Sequence, residues 1–468
     1  MARVQIGIHP DGFSWELKPG EEFQSPEAVM VYSEKGFNGM SQTYHSLYRS
    51  RLARGYWRDR PRPILINNWE ATGPDFTEES ILQIAKTAKE LGIEMFVLDD
   101  GWFGKRNNDS AGLGDWNIVN KDKLPGGITG LAAKINEMGM KFGLWIEPEM
   151  VNKDSELFRS HPDWIIQTPG RTPLPSRNQY VLDFSRPEVA DYICSIIEDL
   201  LGKADISYVK WDMNRYITEC YSKAAAPGEQ GKVFHRYILG VYRMYERLTS
   251  EFPHVLFESC ASGGARFDPG MLYYAPQVWT SDDTDAMERV KIQYGTSYVY
   301  PLSSMGSHVS AVPNQQVGRT TPLETRANVA FFGTFGYELD LNRLSEGERQ
   351  MVETQVAFMK KHRRLIQQGR FYRLKSPFAD SESAWIVVSE DRREALAGYY
   401  RMAKTPNGPW KRLYLAGLEK SGKYMIEGKE EQIFGGDELM NAGMVISDQD
   451  LCADGGDYSS AVFYLRQI

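Results

Sequence analysis

At 468 residues, 42% hydrophobic and 25% charged, the chain has the make-up of a globular protein of two or three domains, which excludes disordered and fibrous classes. Its formal net charge of -8 comes without a long basic run, so no nucleic-acid partner is expected. No apolar run approaches the roughly 20 residues that span a bilayer, and Met1 to Pro10 lack the apolar core of a secretory peptide, so no membrane partner is expected either.

Cys194, Cys220, Cys260 and Cys452 are scattered, with no CxxC or metal-site spacing. They read as reduced thiols of a cytoplasmic protein. Eleven Trp, 25 Tyr and 21 Phe exceed what a core of this size requires. Flat aromatic faces serve as sugar platforms, and equally as core and interface filler.

Residues 1–33 alternate loosely through Val4, Ile6 and Ile8 and carry Gly and Pro turns, which predicts a few short strands. The stripe Tyr44, Leu47, Tyr48, Leu52 predicts a helix over 37–58. A polar, proline-broken linker follows at Arg58 to Pro63, closing a first unit of residues 1–60.

From Pro63 a rhythm sets in. Ile64 to Trp69 is a short apolar run ending in polar and aromatic residues. Asp75 and Glu78 have the spacing of a helix start, Ile81, Ile84, Ala85, Ala88 and Leu91 mark one helical face, and Gly92 suits the C-terminal cap. The cycle then repeats. Apolar runs end at Asp99-Asp100, Glu147-Glu149, Asp212, Glu258-Cys260 and Asp282, with later ones at 302–305 and 336–340. Helical patterns separate them, the last boxed at its start by Ser345 and Glu348 and running to about Gln368.

Eight such runs alternating with helices predict an α/β fold, a TIM (β/α)8 barrel over residues 61–370. A doubly wound sheet could give the same alternation. However, nearly every run carries its polar residues at its C-terminal end, as a barrel rim requires, whereas an open sheet gathers ligand groups at one switch point. No GxGxxG or GxxxxGK[ST] is present to serve a nucleotide. After Phe371, short β-type runs separated by Gly, Asn, Pro and Asp turns predict a small C-terminal antiparallel β domain, residues 371–468.

The rim collects Asp99, Asp100, Glu147, Glu149, Asp212, Glu258, Asp282, Asp283, Asp285, Glu338 and Asp340. Metal ligation and acid/base work on a sugar compete to explain such a set. The seven histidines show no HxH or HExxH spacing, so no metal and no cofactor is expected, although an all-oxygen Mg²⁺ site remains open. Glycoside hydrolysis needs two carboxylates, further acceptors for hydroxyls and aromatic walls, and the rim has all three.

The runs Val97-Leu98-Asp99-Asp100-Gly101-Trp102, Tyr208-Val209-Lys210-Trp211-Asp212-Met213-Asn214-Arg215, Phe257-Glu258-Ser259-Cys260-Ala261-Ser262-Gly263-Gly264-Ala265-Arg266 and Trp279-Thr280-Ser281-Asp282-Asp283-Thr284-Asp285 resemble the α-galactosidases of glycoside hydrolase family 36, in clan D. The resemblance implies a retaining α-galactosidase acting by double displacement on α-galactoside oligosaccharides such as melibiose and raffinose. It implies Asp212 as nucleophile and Asp282 as acid/base, with carboxyls roughly 5–5.5 Å apart as retention requires. By the same carry-over Asp99 and Asp100 accept the O4 and O6 hydroxyls, Lys210 donates to O3/O4, and Arg177 borders the pocket at O3. Trp69 and Trp145 wall the site, Trp279 lies by the acid/base, and Cys260 with Gly263 and Gly264 sits near O2.

Lys210, two residues before Asp212 on the same strand face, is expected to favour the ionised form of that carboxyl, while the surroundings of Asp282 should raise its pKa. Asp283 and Asp285 read as loop-fixing or capping groups, and Glu147, Glu149 and Glu258 as partners behind the pocket. Core packing is the alternative for Trp145 and Trp279, a plain buried thiol for Cys260. His308 reads as structural or at the subsite edge.

An α-N-acetylgalactosaminidase, an α-galactosyl transferase of the same family and a non-catalytic galactose-binding barrel are the alternatives. Family members of this type carry a large N-terminal β-sandwich before the barrel. The chain is therefore expected to lack most of it, residues 1–33 being its tail end, which weakens an expected homo-oligomer.

Overall fold

Eight short runs, buried almost throughout, form the central closed sheet of the computed structural model, which describes residues 3–468. They are β1 (Leu65–Asn67), β2 (Met95–Leu98), β3 (Lys141–Ile146), β4 (Tyr208–Trp211), β5 (Leu256–Ser259), β6 (Gln277–Trp279), β7 (Met305–Ser310) and β8 (Thr334–Glu338). Burial on both faces is what all-parallel strands covered by helices require. Each pairs in parallel with its sequence neighbours, and β1 pairs with β8 to close the ring. A helix follows every strand, from Glu78–Glu90 after β1 to Glu346–Gln368 after β8. This is the (β/α)8 barrel expected from the alternation.

The N-terminal end of the barrel is filled by Leu65, Met95, Val97, Tyr208 and Leu256, with Trp57 packed against them from the segment before β1. The Trp57 indole N–H donates to the His254 carbonyl at 2.9 Å. With this end plugged, access is left to the C-terminal end. Gly143 marks how tightly the strands pack, because a Cβ there would come within 2.8 Å of the Tyr208 ring.

Several elements depart from the expectations. Between Arg3 and Ser33 no strand forms among the described residues; Met1 and Ala2 of that stretch lie outside them. Alternation needs a partner strand, and this segment has none. It lies instead along the barrel, with Phe13, Trp15 and Phe23 gathered around His235. The helix expected to reach 58 ends at Leu52, its last turn widened, and Ala53 is extended. The helix after β1 starts from Thr77, whose hydroxyl accepts from the Ser80 N–H, and not from Asp75, whose own N–H closes a turn onto the Thr72 carbonyl. Residues Leu302–Ser304 form a single tight turn and the seventh strand follows it, because Gly-Ser-His-Val-Ser carries little strand propensity to announce it.

C-terminal to the barrel, β9 (Arg370–Lys375), β10 (Glu382–Val388), β11 (Glu394–Arg401), β12 (Lys423–Ile426), β13 (Ile433–Gly435) and β14 (Ser459–Gln467) form one antiparallel sheet in the order β9-β10-β11-β14-β12-β13. Lys411–Leu413 and Met444–Ile446 pair separately. Successive side chains of a strand point to opposite faces. Accordingly Trp385 and Val387 join the barrel's core, while Ala384, Ile386 and Val388 face a second apolar cluster. No helix among the described residues is long and apolar enough to cross a membrane.

Candidate active site

The C-terminal ends of the strands surround a cavity of about 210 Å³, lined by Trp69, Asp99, Asp100, Trp145, Arg177, Lys210, Asp212, Trp279 and Asp282 among others. Asp212 directly follows β4, and its N–H continues the ladder to the Ile146 carbonyl at 2.8 Å. Three N–H donors hold its carboxylate. Trp145 Nε1 and Asn214 Nδ2 reach Oδ2 at 3.1 and 2.7 Å, and the Met213 N–H reaches Oδ1 at 2.8 Å. Asn214 is itself fixed, its N–H donating to Glu147 and its Oδ1 accepting from Ser262 Oγ at 3.1 Å.

Asp282 lies three residues beyond the end of β6 and is bound differently. One side-chain donor, Trp279 Nε1, reaches its Oδ1 at 3.0 Å. Burial and the nearby charge of Asp212 push this carboxyl above its ordinary range, against the pull of Lys210, the Trp279 hydrogen bond and Arg177. Trp279 packs against the Arg289 guanidinium, 4.5 Å from its ring centroid, and the His308 ring at 4.4 Å.

Opposite them, Asp99 accepts from Lys210 Nζ at 3.1 Å and Asn67 Nδ2 at 2.6 Å. Burial opposes a charge on Lys210, but Asp99 above all, with lesser help from Glu338 and Asp212, keeps the ammonium protonated to well above the usual lysine range. Its direct partner is thus Asp99, whereas the groups bonded to Asp212 are neutral donors. Asp100 is gripped by Arg106, whose Nε lies 2.9 and 3.1 Å from the two carboxylate oxygens and whose second nitrogen lies 2.7 Å from Oδ2. Burial nonetheless raises the Asp100 pKa.

Cys260 and Gly263 do not line the cavity. Cys260 is 1% exposed, and burial first, then the Asp212 charge, lifts its thiol well above the ordinary range. Gly263 has φ +85°, and a Cβ there would come within 2.8 Å of both the Ser281 Cα and the Asp282 nitrogen. The loop after β5 can therefore lie against the backbone that presents Asp282. Asp285 caps the Ala286–Thr296 helix, accepting from the Met287 and Glu288 N–H groups, and Asp283 accepts from the Asp285 N–H. Glu149 is fully buried and accepts from Trp211, Tyr237 and Arg266. Arg177, which lines the cavity, and its neighbour Asn178 have left-handed φ values of 52° and 59°, as does Ser262 at 47°.

Glu70 and Arg106 line the cavity and were not among the candidates from the sequence, whereas Glu147 and Glu338 were among its rim acids. Glu70 faces the cavity, accepting from Thr284 Oγ1 at 2.6 Å and the Ala311 N–H at 3.0 Å. Burial and the Glu338 charge raise its pKa to about 7. Glu338, bonded to His308 Nδ1 at 3.0 Å, is also raised to about 7, chiefly by burial. Glu147 reaches about 8 through burial and the charge of Asp212. Arg106 has no apolar run ending at it, whereas Glu70 directly follows the run Ile64 to Trp69, a signal that could have found it. Among the described residues, no group of three or more His, Cys, Asp or Glu side chains could hold a metal ion.

The melibiase family model matches residues 22–369, and that of the glycosyl hydrolase family 36 C-terminal domain matches residues 382–465. The chain belongs to the melibiase family, glycoside hydrolase family 36. Melibiase relatives include alpha-galactosidase AgaA of Geobacillus stearothermophilus, 60% identical over all of this chain and 63% of its own length. Another is alpha-galactosidase Mel36A of Lactobacillus acidophilus, 46% identical over 99% of this chain and 62% of its own. The crystal structure of AgaA superposes with a TM-score of 0.96 at 58% identity, covering 99% of this chain and 63% of that one. A variant of AgaA has been solved in complex with raffinose, with the same coverage and TM-score at 57% identity. The chain thus spans less than two thirds of the length of these melibiase relatives.

Proposed function

We propose that this chain is a retaining α-galactosidase that releases terminal α-D-galactosyl residues from oligosaccharides of the melibiose and raffinose type. The observation that carries the proposal is the pair Asp212 and Asp282 in one cavity, the first held by three N–H donors and the second pushed toward its protonated form by burial. Asp212 attacks the anomeric carbon while Asp282 gives its proton to the departing glycosidic oxygen, leaving a galactosyl ester on Asp212. Asp282, now a carboxylate, takes a proton from the water that attacks the same carbon, and galactose leaves with its α configuration restored. Asp99, Asp100 and Lys210 supply the charged contacts that recognise the ring hydroxyls, Arg177 borders them, and Trp69, Trp145 and Trp279 wall the sugar. Cys260 and Gly263 act from behind, Gly263 by letting the loop after β5 approach Asp282.

Raffinose bound to a variant of a relative 57% identical to this chain supports the substrate class. Four free cysteines support a reducing, cytoplasmic setting. We read residues 61–370 as the catalytic unit and 371–468 as the sheet that buttresses it.

The test is turnover of nitrophenyl α-galactoside and of raffinose, with the anomer first released read by NMR. Asp282→Ala should lower kcat by about 10²- to 10⁴-fold, the range for loss of a catalytic acid or base, Asp212→Ala should abolish turnover because no galactosyl ester can form, and α-galactose should appear first. Undiminished turnover in either variant, or β-galactose as the first product, would sink the assignment.

A further inference from the structure

Lys123 lies outside the cavity, in the turn before the Gly127–Glu137 helix, yet its ammonium is fully engaged. Its three N–H donors meet three backbone carbonyls, those of Pro74 at 2.6 Å, Gly101 at 3.0 Å and Arg106 at 2.7 Å. Pro74 belongs to the loop that follows β1 and the Trp69–Thr72 turn, while Gly101 and Arg106 lie early in the long loop that follows β2, near whose end Lys123 itself lies. From the geometry we infer that Lys123 is a positioning residue for substrate recognition. Its ammonium ties these two loops together and thereby sets where the Arg106 guanidinium grips Asp100.

Independent features place the same two loops in contact. Gly101 has φ +119°, and a Cβ there would lie 3.0 Å from both the Pro74 Cα and the Phe76 ring. The two backbones meet where the ammonium bridges them. Lys123 is anchored in turn, its carbonyl accepting from the Glu78 N–H at 2.9 Å and its Nζ lying 5.1 Å from the Phe76 centroid. The Asn120 N–H donates to the Trp102 carbonyl at 2.8 Å, which holds the end of the loop after β2 against its start.

The consequence is selective. Asp99 takes its positive partner, Lys210, from strand β4, so the barrel itself fixes that pair. Asp100 takes its partner from a loop, and that loop is held by Lys123. Losing the ammonium leaves the Arg106 carbonyl without its donor, so that Arg106 is placed only by its N–H bond to Phe103 and its guanidinium bonds to Ala111 and Asn152, and Asp100 is loosened while Asp99, Asp212 and Asp282 keep their bonds.

The inference rests on the α-galactosidase reading, and the experiment separates the two. Wild-type turnover of nitrophenyl α-galactoside is measured first, and its absence would refute the hydrolase reading alone. The effect of Lys123 would then be read as galactose affinity by calorimetry. Asp100→Asn identifies, among the 4-deoxy and 6-deoxy galactosides, the analogue whose disadvantage against galactoside depends on Asp100.

Lys123→Met should raise KM for the galactoside about tenfold, or weaken galactose binding as much, with kcat changed less than about twofold, as expected for loosening one charged hydrogen-bonded contact. It should also narrow the disadvantage of that same deoxy analogue. Lys123→Ala, which opens space for a small cation, should recover KM in ammonium chloride but not in sodium chloride at equal ionic strength. A merely structural lysine would lower the melting temperature or the yield and leave KM and the analogue preference untouched. That result, or a Lys123→Met enzyme indistinguishable from wild type, would overturn the inference.

Discussion

Asp212 and Asp282 are chemically the same side chain, and their neighbours divide the work between them. In the proposed mechanism Asp282 carries a proton when substrate arrives, and burial together with the Asp212 charge favours that form. As pH rises through the raised pKa of Asp282 the acid is lost, so kcat/KM should fall on the alkaline side. The Trp279 N–H bonds to the carboxylate and opposes the rise. Trp279→Phe removes that donor, favours the protonated form further and should move the alkaline limb of the kcat/KM profile to higher pH. A limb that stays in place or moves down would show that Trp279 does not tune the acid. Glu70, Glu338 and Glu147, each raised to about 7 or 8, show the same balance of burial against few cations around the rest of the pocket.

At the scale of elements, local chemistry was decisive where residues close in sequence could complete a motif by themselves. Ser345 and Glu348 form a reciprocal capping box, the Ser345 Oγ accepting from the Glu348 N–H while the Glu348 carboxylate accepts from the Ser345 N–H at 2.9 Å. The Glu346–Gln368 helix starts there as its sequence predicts. Ser345→Ala should cost about 1 kcal/mol, read as a lower denaturant midpoint, with kcat unchanged. An unaltered midpoint would mean that tertiary packing alone holds that end. Where two residues could each begin a helix, as Asp75 and Thr77 could, the outcome was set by backbone geometry. The Asp75 N–H was already committed to a turn.

For the whole molecule, the barrel and the C-terminal sheet share a core. Trp385 packs on Phe332 and Phe371, and the Tyr400 hydroxyl donates to the Asn328 carbonyl at 2.8 Å. Trp385→Ala should therefore destabilise by about 3–5 kcal/mol and lower a single calorimetric transition. A separate early transition that leaves turnover intact would show that the sheet folds independently.

The barrel rhythm and the acids at its rim were legible in the sequence for one reason. A parallel strand buried on both faces must be apolar, so a charged residue just past its end stands out, as Asp99, Asp100, Asp212 and Asp282 do. The N-terminal alternation misled because strand pairing is a property of two segments, and nothing in Val4, Ile6 or Ile8 says whether a partner exists. The register of the closing pair, which sets Leu65 beside Gly336, belongs to the tertiary structure alone. So do the Arg106 grip on Asp100, the Glu70 bonds to Thr284 and Ala311, and the cage of carbonyls around Lys123. Those partners sit on loops, whose sequences carry no period. Only the rigid barrel beneath them determines which loops meet.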